Sequence, residues 1–476
     1  MSPGPRKTFL ACLAVLLAAV LAGGGWALWG RTADGGSSAG LRETVERTPH
    51  ETAASRLFTL DPPKLKPGWG ASTPGSWATG TSYVKTESAA ISAYSLPEGK
   101  RLWRIPLDGE VCGATPYVTT EGRTAVVFRS RMRGKTYEEV RCDRLLVFDV
   151  DDGRTLRHTA LPRRGVLSYS DPEVTISGDV VAVNWDSGSM AYPVTGGKAL
   201  WTQKRARCRD GVRLSGGGAL VRMRAGCAEG SRRKVSRVDP RTGRPLWTYE
   251  VPRKYWTAAV LSTDPVVVAA SEGDTDEDHE DTYMTHLLSL DEHGRLRATI
   301  PLPEEDCFTL SEWDSRERSY AVTRDTLYLP TLREKLRHDD LGAVVALDLR
   351  TGKVRKRFAA EAGRHIIPLR MSGDRLLALQ TDDGSGPRSV VKVFGIDPAT
   401  GHRALMLRAE SSDQDVRALL EVGAPSNVPA VFEHGRLFLG RDGVTGPRRG
   451  LKPVGSKHRE PGTPGDRYLG VVFGAG

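Results

Sequence analysis

Aromatic side chains make up only 7% of the 476 residues, and there are just 10 histidines and 6 cysteines. The cysteines form no CxxC, and no histidine stands at zinc-ligand spacing from any pair, which argues against a structural metal. No Gly-rich loop runs into Lys and Ser or Thr, so phosphate binding by a P-loop is excluded. No Ser/His/Asp or Cys/His set can be paired along the chain. Lys and Arg outnumber Asp and Glu by 68 to 58, a net charge of +10. Yet no basic block interleaves with aromatics as a track for a phosphate backbone would require, so nucleic acid is not expected as a partner. Long apolar runs are missing with one exception.

That exception is Thr8 to Trp29, an uncharged stretch preceded by Arg6 and Lys7. At about 1.5 Å rise per residue it is long enough for a bilayer core of about 30 Å. The basic flank predicts a cytoplasmic N-terminus and an exported remainder. A cleaved signal peptide is the alternative, but Trp26, Leu28 and Trp29 after the Gly triplet read as an interfacial anchor rather than a cleavage site. In an oxidising compartment the cysteines are expected to pair.

Glycine is plentiful, at 52 residues, and it recurs in register. An apolar-Asp step enters a tight turn and leaves on a short strand in VDPRTGRPLWTYEV from Val238, LDLRTGKVRKRF from Leu347 and IDPATGHRALML from Ile396. Blurred copies carry Gly99, Gly153, Gly197 and Gly294, so the turn glycines run from Gly99 to Gly401 at steps of 44 to 58 residues. A period of about 50 residues in a helix-poor chain marks a β-propeller or related array. Each unit also holds a first hairpin, as in EVTISGDVVAVNW from Glu173 and LRMSGDRLLALQ from Leu369. Two hairpins make a four-stranded antiparallel blade, A to D.

The expected fold is therefore all-β: a seven- or eight-bladed propeller of four-stranded antiparallel blades, preceded by one N-terminal transmembrane helix. Residues 1–7 form the basic N-terminus, 8–29 the anchor, 30–59 a linker, 60–443 the propeller and 444–476 a Pro/Gly-rich tail with a possible closing strand. The charged part of the linker, from Leu41 to Phe58, reads as a short helix. The last apolar hairpin, AVFEHGRLFLG from Ala430, lacks a C–D partner, which predicts ring closure with strands from both ends.

In this register the A–B and C–D turns share one face, and the B–C loops and D–A connectors share the other. The insertions fall in B–C loops beginning at Ser130, Ser271, Thr331 and Thr381. Insertions gathered on one face of a repeat scaffold build its binding surface. The cysteines fall there too, and the register predicts Cys112–Cys142 and Cys208–Cys227, leaving Cys307 a free thiol.

The DPxTGxxLW step, carried by Asp239, Thr242, Gly243, Leu246 and Trp247, by Gly99 and Trp103, and by Gly197 and Trp201, resembles the pyrroloquinoline-quinone-type (PQQ-like) repeat of bacterial β-propellers. Gly352 and Gly401 continue it. The resemblance covers residues from about 75 to 440. It implies that each Gly closes a C–D turn and each Trp packs between blades, where its N–H meets a backbone carbonyl. Arg157, Arg297, Arg355 and Met406 stand at or near the Trp position in the other units.

The catalytic members of that family are quinone-dependent dehydrogenases, which hold calcium through Glu, Asn and Asp, and many carry two adjacent cysteines. No adjacent cysteines exist here, and blade packing accounts for the repeat tryptophans. The expectation is a membrane-anchored, extracytoplasmic scaffold with no catalytic residue and no cofactor. It would bind a protein or cell-envelope polymer through the B–C face. A PQQ-dependent, calcium-assisted dehydrogenase and a carbohydrate-active propeller enzyme are the alternatives.

Two loop features invite a chemical reading. Asp274, Asp276 and Asp278 alternate as calcium ligands would, but a calcium loop of the EF-hand type needs Gly and Glu where His279 and Thr285 stand. Tyr137, Tyr255, Trp256, Tyr283 and Trp313 are aromatic residues in or beside loops, each readable as a ligand anchor or as packing.

Overall fold

The outer turns are held by their own aspartates. At Asp239 one carboxylate oxygen accepts hydrogen bonds from the N–H of Arg241 and Thr242, at 2.9 and 2.8 Å, and from the Thr242 hydroxyl at 3.0 Å. Gly243 N–H then closes the turn on Asp239 O at 2.8 Å, with φ of 68°. That left-handed conformation suits glycine because it has no Cβ to strain. Asp397 binds Thr400 and Ala399 in the same way.

The computed structural model describes residues 40–130, 142–162, 172–185, 188–204, 212–224, 233–272, 284–302, 320–331, 342–382, 386–420, 429–448 and 464–475. Within them the hairpins assemble into eight four-stranded antiparallel blades, six as separate sheets and the last two merged into one eight-stranded sheet by a parallel pairing of Ala53 and Ala54 with Arg408 and Ala409. Seven follow the chain in order: blade 1 over residues 76–106, blade 2 over 111–160, blade 3 over 173–204, blade 4 over 212–250, blade 5 over 255–301, blade 6 over 321–359 and blade 7 over 364–411. Blade 8 combines Ala430–Glu433, Arg436–Gly440 and Gly470–Gly474 with a strand from the other end of the chain, Ala53–Leu60. Ser55 pairs with Gly474 and Leu60 with Gly470. The residues assigned from sequence to a linker, and within it to a short helix, thus supply the outer strand of the last blade.

Between the blades lie eight apolar clusters, each drawing on two neighbouring sheets. Phe128 and Phe148 of blade 2 meet Trp77 and Ile91 of blade 1. The succession continues around the molecule to Leu437 and Phe473 of blade 8 against Leu377 and Val393 of blade 7. The helix Gln414–Leu420 adds Val416 and Leu419 to that seam. The eighth cluster joins Phe438 and Val472 of blade 8 to Tyr83 of blade 1 and completes the ring.

Each outer strand also docks on the turn of the next blade. A Cβ placed on Gly243 would lie 2.8 Å from the Trp201 ring, and one on Gly294 2.5 Å from Trp247. Trp103 covers Gly153, and Phe58 covers Gly99, in the same manner. In blade 2 the guanidinium of Arg157 takes this place and donates to the carbonyls of Pro193, Gly196 and Gly197. The other three residues expected near the Trp position lie one place off it, each being the residue skipped at a β-bulge. In blade 6, Leu347 pairs with Val354 and Ala346 with Lys356, so Arg355 is skipped. Lys356 therefore lies on Gly401 and donates to Ala399 O at 2.9 Å. Arg297 and Met406 are skipped likewise, leaving Ala298 and Leu405 in register. Of the repeat tryptophans, Trp201 donates its N–H to Pro240 O at 2.8 Å, whereas Trp103 and Trp247 bury theirs without a partner.

The chain reaches blade 8 by crossing the face of the A–B and C–D turns. Leu41 bridges to Thr119, and Arg42 forms a double hydrogen bond with Asp151, both in blade 2. Five residues on, Glu46 accepts from the N–H of His434 and Gly435 in blade 8, and its own N–H donates to Ser372 Oγ in blade 7. Blades 2 and 7 stand three places apart in the ring of eight, so residues 40–52 form a strap across the turn face between them. Among the described residues no helix is long and apolar enough to cross a membrane. The run from Thr8 to Trp29 lies outside them.

Candidate interaction face

Strand alternation brings the B–C loops and D–A connectors to the end of the ring opposite the strap. The polar groups there are set by the strands that carry them, and most are paired within one blade or across one seam.

In blade 2, Cys112 at the start of the A strand is bonded to Cys142 at the start of the C strand. Beside it the Asp143 carboxylate accepts from Ser130 N–H and Oγ–H, both at 3.1 Å. The pair ties the base of the first insertion to its own blade. In blade 3, Asn184 donates from Nδ2 to Glu173 Oε2 at 3.1 Å and accepts Leu214 N–H on Oδ1 at 3.2 Å. That amide braces blade 3 against blade 4.

Blade 5 carries the densest described cluster. Glu272 ends the B strand and receives Lys254 Nζ at 3.0 Å and His286 Nε2 at 3.2 Å. The other ring nitrogen of His286 lies 2.9 Å from Thr285 Oγ1, which in turn accepts Glu272 N–H at 2.8 Å. Tyr255 stands edge-on to the imidazole, with ring centroids 5.2 Å apart. Burial lowers the His286 pKa and Lys254 adds to this, while Glu272 opposes it. The imidazole is thus biased toward its neutral form.

In blade 7, Glu361 receives Lys392 Nζ on both oxygens, at 2.8 and 2.7 Å, and these bonds lower its pKa. Its N–H donates to the fully buried Gln380 at 3.0 Å. At the seam of blades 8 and 1, Lys85 is wholly buried and donates to the carbonyls of Thr73 and Gly75, with Asp442 at 4.0 Å. Burial brings its pKa down to about 8.

Among the described residues no three His, Cys, Asp or Glu side chains gather as a metal site. The calcium candidate Asp274, Asp276 and Asp278 lies outside the described residues, as do Cys208, Cys227 and Cys307. The side chains of Tyr137, Trp256, Tyr283 and Trp313 lie outside them too. Tyr255 is described and is buried between blades 4 and 5, so its role is packing. Among the described residues, Asn184 is not free to serve as the amide ligand of a quinone-bound calcium. Asn184, the amide beside a carboxylate, has its oxygen occupied by a backbone N–H and its nitrogen by Glu173.

Sequence reasoning missed the Glu272–His286 and Glu361–Lys392 pairs and the buried Lys85. Only Lys85 left a trace, as a cation inside the apolar strand SYVKT. The pairs depend on strand register: Glu272 and His286 end and begin neighbouring strands of one blade, and Glu361 reaches Lys392 from the connector before blade 7.

The model of a protein family described as outer membrane protein assembly factor BamB matches residues 16–274, more than half of the chain. No curated protein matches it. Among solved structures the chain is similar to BamB from Moraxella catarrhalis at 14% identity. That likeness covers 87% of this chain and 100% of the other, with a TM-score of 0.45. It is also similar to the quinohemoprotein alcohol dehydrogenase ADHIIG from Pseudomonas putida HK5, at 10% identity, 89% and 75% coverage and a TM-score of 0.47. The quinohemoprotein alcohol dehydrogenase from Comamonas testosteroni gives 11%, 89% and 76%, and 0.46.

Proposed function

Because this chain belongs to the PQQ-like propeller family described as outer membrane protein assembly factor BamB, we propose that it is a non-catalytic scaffold that binds a protein partner. The partner contacts the B–C/D–A face. The observation that carries this reading is positional. The insertions that begin at Ser130, Ser271, Thr331 and Thr381 all spring from the same end of the ring, where the pairs around Glu272 and Glu361 form a rigid base. Variable loops on a fixed frame are how repeat scaffolds recognise partners.

The scaffold stands outside the cytoplasmic membrane, tethered by the apolar run from Thr8 to Trp29. Two features support this placement: the basic flank of that run, and the Cys112–Cys142 disulfide, which suits an oxidising compartment. The test is to replace the four insertions by short turns and compare cross-linked partners with those of the intact chain. Loss of specific partners is expected. An unchanged partner set would place the contact elsewhere. Adding quinone and calcium to the pure protein is expected to give neither quinone absorbance nor dye reduction.

A further inference from the structure

On the insertion face, residues 61–75 lead from the strand Ala53–Leu60 into blade 1. Pro62, Pro63 and Pro67 restrict this connector, and backbone bonds fix it further. Trp69 N–H donates to Lys66 O at 3.1 Å, Gly68 N–H to Pro447 O at 2.8 Å, and Gly446 N–H to Trp69 O at 2.7 Å. Gly70–Ser72 then pairs antiparallel with Gly443–Thr445 to make a two-stranded ribbon. The backbone of Trp69 is thereby held, yet its side chain finds no place in the fold and stays 59% exposed. Lys64 and Lys66 precede it in the same connector, and Arg448 follows Pro447, whose carbonyl holds Gly68 N–H. All three are exposed, and none forms an ion pair among the described residues. Asp466, the nearby carboxylate on the returning chain, is engaged by Thr445 and Arg441.

We propose that the Trp69 ribbon is a contact site for an anionic lipid surface. A tryptophan with an apolar body and an N–H suits the headgroup level of a bilayer, and lysines beside it reach anionic headgroups while their stems stay apolar. Lys64, Lys66 and Arg448 each add attraction to a negatively charged leaflet. The ribbon is already ordered, so little conformational entropy is lost on contact.

The surroundings favour lipid over a protein. A protein hot spot sits at the centre of a packed patch that excludes water. Among the described residues the other exposed large apolar side chains are Val45 in the strap and Leu102, Leu246, Leu296 and Val354 on outer strands, so Trp69 is the one exposed aromatic among them. An exposed aromatic on a ribbon that also carries three exposed cations suits a fluid, negatively charged surface better than a shaped pocket. The site lies at the seam of blades 8 and 1. Contact there would tip the ring and leave the blade 4 and 5 side of the face open, so the protein-partner reading is not required and is not contradicted.

The test uses the full chain reconstituted with vesicles of phosphatidylcholine, with or without about one third phosphatidylglycerol. A nitroxide-headgroup lipid quenches tryptophans at the interface, and the difference in emission between wild type and Trp69→Ala isolates Trp69 from the other tryptophans. That difference is expected to be quenched at least about twofold only with phosphatidylglycerol. Sodium chloride at about 0.5 M should abolish the quenching, as should combined Lys64→Glu, Lys66→Glu and Arg448→Glu. Trp69→Phe and the charge variants should melt like wild type, because these side chains are exposed. Equal quenching in pure phosphatidylcholine, or none in either vesicle, would overturn the proposal. Emission that moves only when envelope proteins are added would overturn it in favour of an acidic protein partner. None of these readouts changes if the four insertions bind nothing.

Discussion

Asp348 shows how much a single turn residue does. Burial raises its carboxyl pKa, but hydrogen bonds from the Arg355 side chain and from Arg350 and Thr351 N–H outweigh it and hold the value at about 2. Asp239 and Asp397 are lowered as well, mainly by their bonds to Thr242 and Thr400. A carboxyl depressed in the folded state stabilises above its ordinary value of about 4, and that contribution is lost as pH falls toward about 2. Asp348→Asn should therefore lower stability by about 1–2 kcal/mol at pH 6. The gap between variant and wild type should close as pH drops from about 4 to about 2. Urea midpoints measured across that range check it, and a gap that persists at the acid end would show that the loss is not electrostatic. The turn itself was readable in sequence, because Asp, Thr and Gly at fixed offsets leave little choice of backbone. The wedge was recognised only where it is Trp: the four-residue step from Gly243 to Trp247 leads from Gly352 to Lys356, one place past the Arg355 expected there.

Among the elements, the strap is the one that sequence periodicity did not reveal. Residues 40–52 have neither the alternation of a strand nor the spacing of a helix, and their partners are more than a hundred residues away at nearest in most cases. Glu46 shows what holds the strap down. Its carboxylate is 4% exposed and accepts two backbone N–H groups of blade 8, with Arg370 at 3.2 Å. Removing it leaves two N–H groups short of an acceptor, while Arg370, 26% exposed, keeps Glu433 at 3.0 Å, so Glu46→Ala should cost about 2–4 kcal/mol. Glu46→Gln, which keeps an acceptor for the N–H groups, should cost less. Trypsin should then cut after the exposed Arg47 faster in Glu46→Ala than in wild type. Equal cleavage rates would mean that the Arg42–Asp151 end alone fixes the strap. The insertion face was legible as a face, because topology alone assigns loops to ends. Its pairs were not, since Glu272 meets His286 only after two strands have been brought into register.

At the scale of the whole molecule, closure distinguishes this ring from an open repeat array, in which stability is a sum over neighbours and the ends are loose. Removing residues 469–476 deletes the partner of both Ala53–Leu60 and Arg436–Gly440. It opens the apolar seams on both sides of blade 8. The intact chain should unfold in one calorimetric transition, and the truncated one should bind an apolar dye and melt over a broad range. A sharp, unshifted transition after truncation would mean that the ring does not depend on its seam. The closing strand at Arg467–Phe473 was visible in the sequence, and its partner was hidden by the charged residues around it.

The same seam sets a timetable for making the protein. Ala53–Leu60 leaves the ribosome early, and the strand it pairs with, ending at Gly474, follows about four hundred residues later. At about 5–20 residues per second, that edge waits roughly 20–80 s with its backbone groups unpaired. Seven blades are finished before the first strand is placed. An unpaired edge held that long is a template for wrong partners, so during synthesis this chain is most exposed to misassembly at Ala53–Leu60, until Gly470–Gly474 has been made.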